Sequence, residues 1–174
     1  MAPPLALKAR ALQWLAQREH SRVELRRKLL WAQRQDEAQA AASSIESPGV
    51  PASEPVVDAA AEIDALLDWL VEHRYLSAER FVESRVHARS ARYGTRRIAH
   101  ELGQHGMALD AATAEQLGAS EHARARAVWQ RRFGPAPAAD AASRAKQMRF
   151  LAGRGFAADV IRSVVRGSDS SDDD

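Results

Sequence analysis

The stretch LVEHRYLSAERF, residues 70–81, has two counterparts further along the chain: LGQHGMALDAAT at residues 102–113 and LAGRGFAADVIR at residues 151–162. Each copy has a leucine, two residues, His or Arg, Arg or Gly, a bulky apolar residue and then a new helical pattern. The basic residue suits a helix C-terminus, where a positive charge interacts favourably with the helix dipole. The apolar residue after the turn, Tyr75, Met107 or Phe156, is expected to pack back on the helix just finished. We therefore predict a repeated helix–turn–helix connection.

The second copy overlaps HELGQHGM, residues 100–107, which looks like the zinc-protease signature H-E-x-x-H. That signature holds one metal because its two histidines are four residues apart on a helix. Here His100 and His105 are five residues apart, about 140° around a helix of ~3.6 residues per turn, and they point in different directions. The third copy has Arg154 where the second has His105, and arginine does not ligate zinc. We therefore interpret His105 as a helix-ending residue and predict no metal and no cofactor.

The composition limits the class of protein. The chain has 174 residues and no cysteine, which excludes disulfides, thiolate metal sites and cysteine nucleophiles. No apolar run approaches the ~20 residues that cross a bilayer. Residues 1–10 lack the continuous apolar stretch of a secretion signal. We expect a cytoplasmic protein with no membrane association.

The charges are strongly segregated along the chain. The formal balance is +6 over residues 1–34, −9 over 35–79, +5 over 80–132 and +4 over 133–166. The net charge of +2 therefore says little about partners, because the individual patches are much more strongly charged.

The apolar pattern is helical throughout. Ile63, Leu66, Leu67 and Leu70 recur at i, i+3, i+4 and i+7, and alternating strand patterns are absent. Suitable N-cap residues precede the helical patterns, at Ser21, Asp58, Ser77, Thr95, Asp110 and Asp140. Helix breaks are expected at Gly94, Gly106, the stretch from Phe133, and Gly167. We predict an all-α chain of about nine short helices.

One internal stretch departs from this pattern. Residues 35–57, QDEAQAAASSIESPGVPASEPVV, contain three prolines, few large apolar side chains and an acidic bias. Such a stretch cannot bury enough surface to offset the entropy of ordering. We predict a disordered acidic linker here and a disordered acidic tail at residues 167–174.

Three stretches in order resemble the RecX family, bacterial regulators of the RecA recombinase. They are ALKARALQWLAQREHSRVELRRKL near the start, WLVEHRYLSAERFVESRVHARSARYGTRRIAHELGQHGM in the middle, and RAKQMRFLAGRGFAADVI near the end. The resemblance implies three tandem three-helix units in an elongated, slightly curved array. The boundaries that follow are residues 1–32 for two helices of unit 1, 33–57 for the linker, 58–76 for the third helix, 77–118 for unit 2, 119–166 for unit 3 and 167–174 for the tail.

An arginine row is the main candidate for binding. Arg85, Arg89, Arg92 and Arg96 are spaced by four, three and four residues and would form one ridge if a single helix continued past Arg92. Gly94 is expected to interrupt that helix before Arg96. Forked guanidinium groups suit phosphates or acidic protein surfaces. We predict that this row, together with Arg97, contacts a partner.

Two further basic patches and the four tryptophans are the remaining candidates for binding. The secondary patches are Arg26, Arg27 and Lys28, and Arg124, Arg126, Arg131 and Arg132. Each suits phosphate or acidic protein, and each is equally explained as a solvated face. The four tryptophans, Trp14, Trp31, Trp69 and Trp129, are interpreted as core or inter-unit contacts rather than base-stacking platforms.

The sequence favours binding over catalysis. It contains no P-loop, Rossmann glycine pattern or serine nucleophile elbow, and we predict that the protein is not an enzyme. The resemblance implies a monomer that binds the RecA nucleoprotein filament and inhibits its ATPase, strand exchange and coprotease activity. The alternative is a helical-repeat protein that binds nucleic acid directly, since basic patches also bind single- or double-stranded DNA weakly and without sequence preference.

Overall fold

The protein was described from a computed structural model, which covers residues 5–44, 59–136, 138 and 140–167. Over these residues the chain forms nine helices and no β-strand, which confirms the all-α prediction. The helices are α1 Leu5–Gln17, α2 Arg22–Ser44, α3 Ala59–Glu72, α4 Ala78–Ser90, α5 Thr95–Gly103, α6 Ala111–Ala119, α7 Glu121–Phe133, α8 Ala141–Gly153 and α9 Ala158–Gly167.

The chain divides into two compact lobes, an N-terminal lobe of residues 1–81 and a C-terminal lobe of residues 82–174. In the N-terminal lobe, α1, α2 and α3 form one three-helix unit whose apolar stripes meet in a single core. The predicted stripe of α3, from Ile63 to Leu70, is fully buried there. In the C-terminal lobe, α7, α8 and α9 form a three-helix unit around Trp129, Leu151 and Phe156.

The three sequence copies share one backbone feature. Arg74, Gly106 and Gly155 occupy the same position in their copies, and all three have a positive φ, of 59°, 73° and 80°. A residue in this left-handed conformation ends a helix by turning the chain back so that free carbonyls are satisfied. The repeated helix–turn–helix connection is therefore confirmed, with His105 in such a turn rather than on a helix face.

In the first copy the residue that donates to the starting leucine lies one position later than in the other two. In the second and third copies the bulky residue after the turn donates its N–H to the starting leucine, from Met107 to Leu102 and from Phe156 to Leu151. In the first copy it is Leu76 that donates to Leu70, at 3.0 Å, and Leu76 is buried. Tyr75 is 48% exposed and packs back on α3 by stacking on Trp69, with ring centroids 5.6 Å apart.

The predicted helix starts are supported by side-chain caps. Four residues each accept a hydrogen bond from the backbone N–H three positions later, namely Ser21, Ser77, Asp110 and Asp140. The predicted cap Thr95 is wrong, because Gly94 holds the N-cap position of α5 and Thr95 is its first helical residue. The Thr95 N–H instead donates to Oε1 of Glu121, elsewhere in the lobe, at 2.9 Å. Glu121 belongs to α7 and is buried. The predicted cap Asp58 lies outside the described residues.

The predicted start of the linker is wrong. Helix α2 continues to Ser44, through the first part of the stretch that was expected to be disordered. Alanine, glutamine and glutamate favour the helix without any core, and they predominate from Gln35 onward. Asp36 also forms a two-bond ion pair with Arg10 of α1, at 2.9 and 3.0 Å. Residues 45–57 of the predicted linker, and residues 168–174 of the predicted tail, lie outside the described residues.

The prediction for the tryptophans is correct for three and wrong for one. Trp129 is buried, and Trp14 and Trp69 pack against the core of the N-terminal lobe. Trp31 is 62% exposed. On α2 the buried residues are Leu25, Leu29 and Ala32, and at 100° per residue Trp31 lies well away from that stripe. Its apolar neighbours in the sequence misled the prediction.

Two turns of the C-terminal lobe lie directly against each other. The turn between α4 and α5 contains Gly94, and the turn between α8 and α9 contains Gly155. A Cβ atom on Gly94 would lie 2.2 Å from the carbonyl oxygen of Gly155, and one on Gly155 would lie 2.5 Å from Cβ of Arg97. The Gly94 N–H donates to the carbonyl oxygen of Arg154 at 3.0 Å. Only residues without side chains allow this approach.

Replacement of Gly94 by alanine is therefore expected to destabilise the C-terminal lobe by about 2 kcal/mol or more, because the new methyl group clashes with backbone that cannot move aside. The matched control is Gly118→Ala, in α6, where a Cβ atom meets nothing within 4 Å. The control is expected to be neutral or to stabilise by about 0.5–1 kcal/mol. Urea unfolding followed by circular dichroism measures both, and an unchanged midpoint for Gly94→Ala would contradict the close packing.

Candidate functional site

The candidate site is built from arginines of the C-terminal lobe. Residues 82–167 carry fifteen Arg or Lys against seven Asp or Glu. Seven of these arginines lie around the Gly94–Gly155 contact and are called the arginine surface below: Arg89, Arg92, Arg96, Arg97, Arg131, Arg132 and Arg154. The predicted row and Arg97 together comprise five arginines, and four of them belong to the arginine surface. Arg85 is half-buried in α4 and forms other interactions.

The predicted single ridge is not formed. Helix α4 ends at Ser90, Arg92 lies in the following turn, and Arg96 belongs to α5. Gly94 separates the two helices with an extended backbone, φ −76° and ψ 163°. The arginines therefore come together by the packing of turns rather than along one helix.

Tyr93 organises the centre of the arginine surface. Its ring lies 5.3 Å from the guanidinium carbon of Arg89, 4.6 Å from that of Arg97 and 5.8 Å from that of Arg154. The negative face of an aromatic ring attracts cations. Glu101 pairs with Arg89 at 2.9 Å and with Arg97 at 3.4 Å. Three guanidinium groups thus share one ring, and two of them share one carboxylate, which leaves the cluster positive.

One concave pocket of about 230 Å³ opens beside this cluster. Val128 and Phe150 supply apolar walls, and the remaining lining residues are four arginines: Arg92, Arg131, Arg132 and Arg154. Among the described residues, no carboxylate lines this pocket.

Two of these four arginines are held by backbone carbonyls. Arg131 donates to the carbonyl oxygen of Ala91 at 2.8 Å, and Arg154 donates to that of Arg92 at 3.3 Å. Arg154 also lies over the ring of Phe150, at 4.5 Å, and its Nε is buried without a hydrogen-bond partner among the described residues. The side chains of Arg92 and Arg132 are exposed and form no ion pair with a described residue. Such a pocket suits an anionic group.

A second pocket, of about 580 Å³, lies on the other side of Arg97. Arg96, His100 and Gln104 line it together with the backbone of the turn before α9. Arg97 donates to the carbonyl oxygen of Gly153 at 3.2 Å, whereas the side chain of Arg96 is exposed and unpaired with any described residue. Glu101 is the one acidic residue of this lining.

Arg124, from a predicted secondary patch, has a structural position. Its guanidinium donates to the carbonyl oxygens of Ser90, Tyr93 and Leu117, at 3.1, 2.7 and 2.7 Å. These carbonyls belong to the ends of α4 and α6 and the turn after α4. Burial lowers the pKa of Arg124 below its ordinary value. The side chain therefore ties helix ends together and is not presented to a partner. Arg126, on the same helix, is exposed.

The other secondary patch divides in the same way. In the N-terminal lobe Arg26 forms two hydrogen bonds with Asp64 of α3, at 2.7 and 2.9 Å, and the pKa of Asp64 is lowered by this contact. Lys28 lies over the ring of Trp14 at 4.2 Å, and desolvation, with Arg18 nearby, lowers its pKa. Arg27 is exposed and unpaired among the described residues.

Sequence reasoning missed four residues of this site: Tyr93, Phe150, Arg154 and Glu101. Arg154 was recognised as a helix-ending residue but not as a neighbour of Arg92, which is 62 positions away. The repeat offered one signal that could have found Arg154. Gly155 marks a turn next to it, and a glycine in a turn allows another backbone segment to approach closely.

Comparison with known proteins identifies the family. Residues 120–165 match a family model described as RecX, third three-helix domain. The chain is 46% identical to the regulatory protein RecX of Ralstonia nicotianae over 173 residues, covering 98% of this chain and 93% of the relative. It is 44% identical to that of Herbaspirillum seropedicae, covering 99% and 97%, and 39% identical to that of Pseudomonas entomophila, covering 97% and 96%.

The chain belongs to the RecX family. The segment that matches the RecX third three-helix domain contains α7, α8 and most of α9, and with them Arg131, Arg132 and Arg154. Among the residues that the structure describes, no group of His, Asp or Glu is placed to hold a metal ion. No described helix of this RecX chain is long and apolar enough to cross a membrane.

Replacement of Arg124 by alanine is expected to lower the free energy of unfolding by roughly 2–3 kcal/mol, because three carbonyl groups lose a charged donor. Arg126→Ala, two positions away and exposed, is the matched control and should change stability by less than ~0.5 kcal/mol. Thermal unfolding followed by circular dichroism compares the two. Equal midpoints would show that the carbonyl contacts of Arg124 contribute nothing.

Proposed function

We propose that this protein binds the RecA nucleoprotein filament and inhibits the ATPase, strand-exchange and coprotease activities of RecA. The observation that carries the proposal is the alignment of nearly the whole chain with proteins named regulatory protein RecX. The family resemblance implies RecA as the target. The protein is expected to act in the cytoplasm as a monomer and a regulator rather than an enzyme.

The arginine surface supports a binding role and suggests how the filament is contacted. Arg92, Arg96 and Arg132 present guanidinium groups that no described carboxylate neutralises. A nucleoprotein filament offers both acidic protein side chains and DNA phosphates. A guanidinium binds either through paired hydrogen bonds and gives up its hydration more readily than an ammonium group. We assign the arginine surface as the filament-contacting site.

Simultaneous replacement of Arg92, Arg96 and Arg132 by glutamate is expected to weaken inhibition of RecA at least tenfold, equivalent to ~1.4 kcal/mol. Six units of charge are reversed, so that attraction to an acidic or phosphate surface becomes repulsion. The measurement is RecA ATPase on single-stranded DNA, titrated with wild-type and variant protein. Arg89 is left intact because its contact with Glu101 is part of the fold.

The matched control changes the same number of charges elsewhere on the C-terminal lobe. Lys146, Arg162 and Arg166 are exposed and line neither of the two pockets. Their replacement by glutamate should leave inhibition within about threefold of wild type. Equal losses in both variants would indicate attraction to overall charge only and would remove the arginine surface as the contact site. No inhibition by wild-type protein at saturation would refute the function itself.

An electrophoretic mobility shift at two salt concentrations tests the direct nucleic-acid alternative. Weak binding without sequence preference that falls steeply as salt rises is expected, because phosphate contacts dominate it. Tight, sequence-dependent binding that survives higher salt would instead favour a helical-repeat DNA-binding protein.

A further inference from the structure

Helix α2 has an outward face that the proposed function does not use. Val23, Arg27, Trp31 and Arg34 recur at i, i+4, i+8 and i+11, within about 80° of arc on a helix of 100° per residue. Val23 is 53% exposed and Trp31 is 62% exposed, and both arginines are exposed as well. The buried stripe of the helix, Leu25, Leu29 and Ala32, faces the other way.

The exposed indole is costly for a protein that uses it only for folding. A tryptophan that packs in a core buries about 150–250 Å² of surface, and Trp31 forgoes most of that burial. Its position on a regular, well-formed stretch of helix also fixes its orientation. An exposed aromatic ring flanked by exposed arginines is an arrangement that proteins use to bind single-stranded nucleic acid.

The charged side chains next to Trp31 on this face are arginines. Arg27 and Arg34 form no ion pair with any described residue. Glu24 and Glu37 lie three residues from Arg27 and Arg34, but both are engaged elsewhere, Glu24 with Arg18 and Glu37 with Gln33. Seven residues of helix separate the two arginines by ~10 Å along the axis, with the indole between them.

We propose that this face binds single-stranded nucleic acid. An unpaired base stacks on the Trp31 ring, and the phosphates on either side of it contact Arg27 and Arg34. Binding of single strands in proteins combines these two elements, a cationic track for the backbone and aromatic rings for the bases. The Val23 side chain extends the apolar surface toward the next base. Selectivity for base identity is not expected, since every base has a π face.

Other occupants fit the face less well. An acidic peptide would pair with the two arginines but would leave the indole without a flat partner. A second copy of this chain, placed face to face about a twofold axis, would bring arginines against arginines. A duplex hides the faces of its bases inside the stack.

The proposal does not depend on RecA as the target. It concerns the N-terminal lobe, whereas the arginine surface of the C-terminal lobe is expected to attract phosphates as well. A measurement of total binding would mix the two sites. Fluorescence of Trp31 separates them, because stacking of a base on an indole quenches its emission.

The experiment titrates the full chain with oligothymidylate of about twenty nucleotides at low salt. Wild-type protein should show saturable quenching that is absent in Trp31→Phe, which assigns the signal to Trp31 because the other three tryptophans remain. The Arg27→Ala, Arg34→Ala double variant should require at least tenfold more oligonucleotide for half-maximal quenching. Since all three side chains are exposed, circular dichroism should show unchanged helix content in both variants.

A control variant and a control ligand make the result decisive. Arg126→Ala with Arg162→Ala removes two exposed arginines of the C-terminal lobe and should leave the Trp31 quenching curve unchanged. Poly-glutamate at the same charge concentration should quench little. Equal quenching by poly-glutamate would identify an acidic protein as the partner of this face, and equal quenching of Trp31→Phe by oligothymidylate would show that no base stacks on Trp31. Either result overturns the proposal.

Discussion

The contact between Gly94 and Gly155 determines where the arginines of the C-terminal lobe lie. Neither residue has a side chain, and the two turns approach until a single methyl group would clash with backbone. Arg92, Arg96 and Arg97 flank one side of this contact, and Arg154 precedes Gly155 on the other side. Without the approach, the arginines of α5 and of the α8–α9 turn would form separate, weaker patches. A requirement of backbone packing thus produces a concentrated surface charge.

Seven arginines close together repel one another. This repulsion is offset more at the centre of the arginine surface than farther out. One carboxylate, Glu101, and one ring, Tyr93, lower the repulsion at the centre. Farther out, the donors of Arg131 and Arg154 are satisfied mainly by backbone carbonyls. A carbonyl is a dipole that orients a guanidinium and fills its hydrogen-bonding capacity, but it does not remove the charge. The surface therefore remains positive although many of its donors are occupied.

The sequence predicted what depends on neighbours along the chain. The caps at Ser21, Ser77, Asp110 and Asp140, the buried stripe of α3 and the helix-ending turns of the three copies all follow from residues within one or two turns of helix. It failed where the decisive contact is distant. Arg124 looked like a solvated cation until it met the carbonyl of Ser90, 34 residues earlier in the chain. Glu121, which was not singled out from the sequence, is buried and caps a helix that begins 26 residues earlier in the chain.

Helix α2 shows a different limit of sequence reasoning. Its second half has no apolar stripe, so a criterion based on core formation predicts disorder, yet propensity and one ion pair with α1 are enough to continue the helix. The same criterion placed Trp31 in a core, because it treats every large apolar residue as buried. Both errors come from judging each residue only by whether it helps to form the core.

The four arginines of the smaller pocket fall into two groups that differ in the freedom of their side chains. Arg131 and Arg154 are held by carbonyls and, for Arg154, by the ring of Phe150, so they have little rotamer freedom left to lose when an anion binds. Arg92 and Arg132 donate to no described carbonyl, although Arg132 lies over the ring of Phe133 at 5.8 Å, so they have more freedom to lose and can adjust to ligands of different shape. For the proposed contact, a fixed pair would set the position of an anionic group, and an adjustable pair would adapt to its shape. This combination tolerates variation in a partner surface while keeping its charge as the requirement.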